Sequence, residues 1–259
     1  MSRVPRAASE AGSPRRRPSG PSAGETRSRR ILARFTGARS APSSAGSALG
    51  RGIVLSACRP SAAHRWARRG IGPVVVGQLE GWTVVVPTGP AAARHPYDDA
   101  VRSLAGRPVG LSMRPALGVF HVGRQVVLTV HPARWRAPQR WLIWTPRDGS
   151  VPPDGLPPAS VDDVVAVAGG RSGTHARADE SVRRALRDVL DDGSLQPRTV
   201  LAEIFGILSL PGLALVSGPG TDALADLPGA REIHPSPRAA RAFDRVVGEE
   251  ARHLDEMEM

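Results

Sequence analysis

Apolar positions along this chain fall into short runs, and the first strong one is Val74-Val75-Val76. With Trp82-Thr83-Val84-Val85-Val86, stopped by Pro87, it reads as a pair of strands, because β-branched residues suit a pleated, buried surface. Val119 to His131 reads as a hairpin around Gly123-Arg124, a type II′ turn that wants Gly first. That register sets Phe120, Val122, Val127 and Thr129 on one face, and Val119, His121, Val126, Leu128 and Val130 on the other. Both faces are mostly apolar, which places the pair inside a sheet. Trp141-Leu142-Ile143-Trp144 is another strand without a polar face, followed by a loop from Pro146 to Pro158 with Asp-Gly turns at Asp148 and Asp154.

Helical spacing takes over in the second half. One earlier helix is expected from Pro96 to Ala105, with Pro at the first position, Asp98 and Asp99 in the first turn, an Asp98–Arg102 pair and Gly106 as the stop. Ser160 caps a helix through Ala168, with Asp163 as its capping-box partner and Gly169-Gly170 at its end. Residues 171–178 read as a linker. Asp179 caps a helix whose Val182, Ala185, Leu186, Val189 and Leu190 form an i, i+3, i+4 stripe. Pro197 opens another with Val200, Leu201, Ile204, Phe205 and Leu208, ended by Pro211. Leu213–Val216 reads as a buried strand, turning at Ser217-Gly218-Pro219-Gly220 into a short helix at Thr221–Ala225. A short strand follows at Arg231–His234. Ser236 and Pro237 then start a last helix with Ala240, Phe243, Val247, Ala251 and Leu254 on its buried face.

Ahead of Val74 the periodicity fails. Residues 1–71 are rich in Arg, Ser, Pro, Ala and Gly, and such a segment buries too little apolar surface to offset its conformational entropy. It reads as a disordered arm, with Ile53–Leu55 only a short apolar patch. The same composition fits upstream sequence translated ahead of a true start near Val74. The expected architecture is α+β: a mixed or antiparallel sheet region over 72–170, and a mainly helical region over 171–259 that packs on it as one domain or stands as a second.

Charge changes this picture through its location. All 35 basic residues are Arg, since the chain has no Lys and no Asn, as a GC-rich bacterial coding sequence would give. Residues 1–71 carry 15 Arg against Glu10 and Glu25, while residues 72–259 carry 20 Arg against 22 carboxylates. The net charge of +11 is therefore a property of the arm. Binding by counterion release needs cations facing phosphates, so a nucleic acid is expected only through that arm. The single Cys58 excludes an internal disulfide and suits a reducing cytoplasm. No run approaches the ~18 apolar residues of a membrane span, and no apolar core of a secretory signal is present, so no membrane role is expected.

Missing residues also exclude chemistry. Without Lys there is no Walker A loop, no protein kinase and no Schiff base; without Cys in 72–259 there is no thiol nucleophile or cysteine-held metal there. No cofactor is implied. Ser217, Gly218, Gly220 and Thr221 form the best remaining constellation for binding an anion, since a glycine turn aims backbone N–H groups from a helix start, although the same residues suit an ordinary structural turn. Glu249, Glu250 and His253 give one Glu-x-x-His spacing where a di-metal bundle needs two, and acidic residues near a chain end are usually solvated, so no metal is expected. His95 beside Asp98 and Asp99, and His121 and His131 on opposite hairpin faces, are each better explained by structure than by catalysis. Arg134-Trp135-Arg136 and Arg140-Trp141, with Trp144, interleave cations and aromatics. That composition suits a protein interface or stacking on bases, and Arg134, Trp135 and Arg140 are the candidate interface residues. The leading expectation is a cytoplasmic, non-catalytic protein that binds a protein partner or itself. A small-ligand binder or enzyme using the Ser217–Thr221 turn, and a nucleic-acid binder using the arm, are the alternatives.

Overall fold

The computed structural model describes residues 51–93, 97–169, 180–218, 224 and 226–258, with side chains described as far as residue 249. Its centre is an eight-stranded antiparallel sheet of order β7-β6-β5-β4-β1-β3-β2-β8. The strands are β1 (Arg51–Ser56), β2 (Val74–Leu79), β3 (Trp82–Pro87), β4 (Ala116–Val122), β5 (Gln125–His131), β6 (Arg140–Thr145), β7 (Gly149–Val151) and β8 (Arg231–Ile233). Helices α1 (Pro60–Ala67) and α2 (Ala100–Ala105) cover one face. The other face carries α3 (Val161–Gly169), α4 (Glu180–Asp191), α5 (Pro197–Ile207) and α6 (Leu213–Ser217). A last helix, α7 (Pro237–Glu258), follows β8. The α+β class with an antiparallel sheet is thus as the sequence implies.

The boundary of the arm is different. β1 and α1 both lie inside the expected arm of 1–71, and a start at Val74 would omit them. β1 is no peripheral addition: it pairs with β4 along Arg51–Ser56 and with β3 along Val54–Ser56. Ile53 and Leu55 enter the core under α3–α6, and Val54 enters the core under α1 and α2. Six residues with three aliphatics look insufficient in isolation, but a strand between two others draws its burial from both neighbours. Gly52 has a specific reason to be Gly, since a Cβ there would lie 2.1 Å from Cδ1 of Phe120 on β4.

The β4–β5 hairpin has the expected register, with Phe120 opposite Val127 and Val122 opposite Gln125. Gly123 sits at φ +60°, and Arg124 is not left-handed, which is the II′ requirement. The β2–β3 hairpin turns at Glu80-Gly81, both left-handed (φ 47° and 84°). The expected 146–158 loop contains β7, whose Gly149–Val151 pairs with β6. Asp99, rather than starting inside α2, is its N-cap: its Oδ1 accepts from the N–H of Val101 (2.9 Å) and Arg102 (3.0 Å). Asp99 also forms an ion pair with Arg102, at 3.3 Å. Leu213–Ser217 is a helix and not a strand. A four-residue apolar run has no period of its own, and Gly212 at φ +90° turns the chain so that α6 lies against the sheet. Asp179, the 171–178 linker and most of Thr221–Ala225 lie outside the described residues.

Both halves of the sequence contribute to one apolar cluster. Leu186, Leu190, Val200, Leu201, Ile204 and Phe205 from α4 and α5 share it with Leu117, Val119, Leu128 and Trp144 of the sheet. Trp141 and Trp144 are fully buried, on opposite faces, so one serves each core.

Candidate interaction surface

Antiparallel pairing brings the end of β1, the start of β4, the end of β5 and the start of β6 to one end of the sheet. The chain there is held by side chains reaching backbone groups. Ser56 Oγ donates to the Met113 carbonyl, and Thr83 Oγ1 donates to the Cys58 carbonyl at 2.6 Å. These bonds fix the passage from β1 into α1, and the second occupies the backbone carbonyl of the half-buried Cys58 itself.

The loop joining β5 to β6, residues 132–139, leaves this end. Arg114 braces it from below. Its Nε donates to the Val109 carbonyl (3.1 Å), and its Nη1 donates to the carbonyls of Arg134 (3.2 Å) and Ala137 (2.7 Å). Burial lowers the Arg114 pKa from its ordinary value, but the guanidinium still holds three carbonyl oxygens. Both ends of the loop are anchored by buried side chains. His131 closes β5, and Gln139 donates from Nε2 to the Ala105 carbonyl at 2.8 Å.

What the loop presents is Arg134-Trp135-Arg136, all exposed. Trp135 is 76% exposed, whereas Trp66, Trp82, Trp141 and Trp144 are all buried. Among the described residues, Leu111, in the 3₁₀ turn Leu111–Met113 that leads into β4, is the other exposed large apolar residue, at 51%. Arg114, three residues beyond Leu111, touches the carbonyl next to Trp135. Loop residues 132–139 contain no carboxylate.

Arg140 does not join this surface. Its Nη1 lies 2.7 Å from both carboxylate oxygens of Asp163 at the start of α3. Asp163 is also the capping-box partner of Ser160, accepting from its N–H and its Oγ, each at 2.9 Å. Burial raises the Asp163 pKa, but the bonds from Ser160 and Arg140 outweigh it and hold the carboxyl below its usual value. Arg140 thus fastens β6 to α3.

The other expected sites are placed as follows. Ser217 Oγ donates back to the Leu213 carbonyl at 2.8 Å, and the Gly218 N–H donates to the Ala214 carbonyl. Both groups close the end of α6, while Gly220 and Thr221 lie outside the described residues. His95 lies outside them too, as do the side chains of Glu250 and His253. Among the described residues no group of three His, Cys, Asp or Glu is arranged to hold a metal, and no helix is long and apolar enough to cross a membrane. His121 and His131 lie on opposite faces of the sheet, and His121 is half-buried near Arg198 and Arg51.

No family model, curated protein or solved structure matches this chain.

His131 is 1% exposed, and its Nδ1 has no hydrogen-bond partner among the described residues. Burial first, and the charge of Arg114 second, push its pKa down to about 3. The imidazole is neutral and sealed from any substrate. Because the unfolded chain takes up a proton near pH 6.5 and the folded chain does not, stability is full above that pH and declines as pH falls toward about 3. His131→Gln should flatten the fall in melting temperature between pH 7.5 and 4.5, read by circular dichroism at several pH values. Parallel curves for the two proteins would show that His131 does not carry the dependence. His64 and His121, also lowered by burial, add to the slope that remains, as does the lowered Asp163 at the acid end.

Proposed function

We propose that this is a non-catalytic binding protein of the cytoplasm that engages a protein partner through the Arg134-Trp135-Arg136 loop. The observation that carries the reading is the contrast between Trp135 and the four buried tryptophans, on a loop that Arg114 holds in place. An indole left in water forgoes the favourable burial of a large apolar surface, which a partner pocket restores. Trp and Arg are the side chains most enriched among residues that dominate protein association, and a braced loop loses little conformational freedom on docking. With arginines on both sides and no carboxylate in the loop, the fitting partner surface has an apolar pocket rimmed by Asp or Glu.

The reading is tested by replacing Trp135 with a photo-crosslinking benzoyl-phenylalanine in cells, with the exposed Glu203 on α5 as the control position. A discrete adduct should form from position 135 and should disappear when Arg134 and Arg136 are also changed to Glu. An adduct of twice the chain mass would make the partner a second copy. Equal, diffuse labelling from both positions would defeat the proposal.

A further inference from the structure

The structure assigns a second surface, independent of the Trp135 loop: the exposed side of α1 and the edge of β8 together form a contact for the phosphate backbone of a nucleic acid. With the boundary at Arg51, the body holds 25 Arg against 22 carboxylates, a net +3, and its excess is concentrated in one stretch. Residues 51–79 contain Arg51, Arg59, Arg65, Arg68, Arg69 and His64, and no Asp or Glu.

The fold gathers part of that stretch and adds to it. Pro60 starts α1 at the first helical position, and Ala62, Ala63, Trp66 and Ala67 turn its other side into the core. This leaves Arg65 exposed, with Arg68 and Arg69 exposed just past the helix end. On the edge strand β8, Arg231 stands opposite Val76, and Ile233 opposite Val74. Directly opposed residues in an antiparallel pair share a face. Val74, Val76 and Ile233 all belong to the core under α1, so Arg231 emerges beside that helix. Burial first, then the charges of Arg231 and Arg68, lower the His64 pKa, which places both arginines near it. Glu232 faces the opposite side, where it lies 3.8 Å from His234.

Two features separate this cluster from an ordinary solvated face. Arg102, Arg140, Arg183 and Arg187 each have a carboxylate partner, whereas among the described residues Arg65, Arg68, Arg69 and Arg231 form no ion pair. Asp99, at the start of α2 on this side, is occupied by its cap bonds and by Arg102. Beneath the cluster lies a fixed charge. The Arg107 guanidinium stacks 3.9 Å from the Trp66 ring centroid and donates to the Trp66 carbonyl, and among the described residues no carboxylate is paired with it. Burial, and then Arg69, lower its pKa to about 9, so it remains a cation at neutral pH. Such a group of unpaired guanidinium ions attracts phosphates, and Arg binds them in a fixed fork. The sequence preceding β1 adds ten Arg against two carboxylates, which favours an extended polyanion over a compact acidic patch.

The test uses the full chain and a fluorescent random-sequence DNA duplex, with anisotropy read from low to moderate salt. Arg65→Gln, Arg68→Gln, Arg69→Gln and Arg231→Gln are combined; Gln keeps the helix propensity of Arg, and a thermal melt checks the fold. The quadruple variant should bind at least about tenfold more weakly and lose about 3–4 from the slope of log K against log salt, near one for each phosphate contact. Arg134→Gln with Arg136→Gln should leave the slope unchanged. The proposal is overturned if the quadruple variant binds like the parent, which would put the affinity in residues 1–50. It is also overturned if polyglutamate displaces the duplex as well as unlabelled DNA does, which would make the ligand an acidic protein segment.

Discussion

A chain beginning at Gly72 is expected to lose its cooperative thermal transition, and one beginning at Arg51 to keep it. The first truncation removes β1 from between β3 and β4, so both neighbours lose a pairing partner at once. It withdraws Ile53, Val54 and Leu55, each essentially inaccessible to solvent, together with the buried side of α1. Fully burying one aliphatic side chain contributes about 1.5–3 kcal/mol. Three of them match much of the ~5–15 kcal/mol by which a domain is stable. The exposed edges of β3 and β4 then carry unpaired backbone groups flanked by Val and Leu, a template for aggregation. Melts of the two truncations beside the full chain decide the matter. A sharp transition in the 72–259 chain would mean that β1 is dispensable, contrary to its place in the sheet.

Trp141→Ala and Trp144→Ala should each cost ~3–5 kcal/mol, from lost transfer energy and the cavity left behind. The two residues lie in one strand but on opposite faces: Trp141 with Phe120, Met113 and Val127, and Trp144 with Val126, Leu186 and Leu190. Trp144 also donates from Nε1 to the Asp192 carbonyl at 3.3 Å, tying β6 to the end of α4. For a domain of this size the loss corresponds to a melting temperature lower by on the order of ten degrees. Trp135→Ala provides the contrast, since surface changes stay within about 0.5 kcal/mol. A parent-like melt for either buried variant would contradict the packing described for β6. A large drop for Trp135→Ala would mean that the loop is part of the core, removing the basis for its role as a contact.

The elements legible in the sequence are those whose local pattern agrees with their burial. The β4–β5 hairpin announced both faces and its turn, and β6 announced a strand covered on both sides. β1 did not, because Ile53-Val54-Leu55 is set among Arg, Ser and Gly, and the strands that pair with it, β3 and β4, come far later in the chain. α6 was misread because four apolar residues look alike as helix or strand until Gly212 fixes the direction of approach. The same limit governed the surfaces. Arg134 and Trp135 stand out by composition. The bond from Arg140 to Asp163 depends on how α3 packs, and two of the carbonyls that Arg114 holds, those of Arg134 and Ala137, lie in a loop beyond two intervening strands, so neither left a local trace. The arginines of α1 were counted in the arm because a lone amphipathic turn cannot be told from polar sequence without the sheet that buries its alanines.

Both borders of the sheet are narrow. β7 and β8 have three residues each, while the strands just inside them, β6 and β2, have six. Short outer strands offer little ladder for another chain to join, and β8 adds the charged pair Arg231-Glu232 at its start. β8 therefore acts as a stopper. If the chain ended before Arg231, Val74–Leu79 would become an open six-residue margin beginning Val-Val-Val, and the sheet would be free to grow from one molecule into the next.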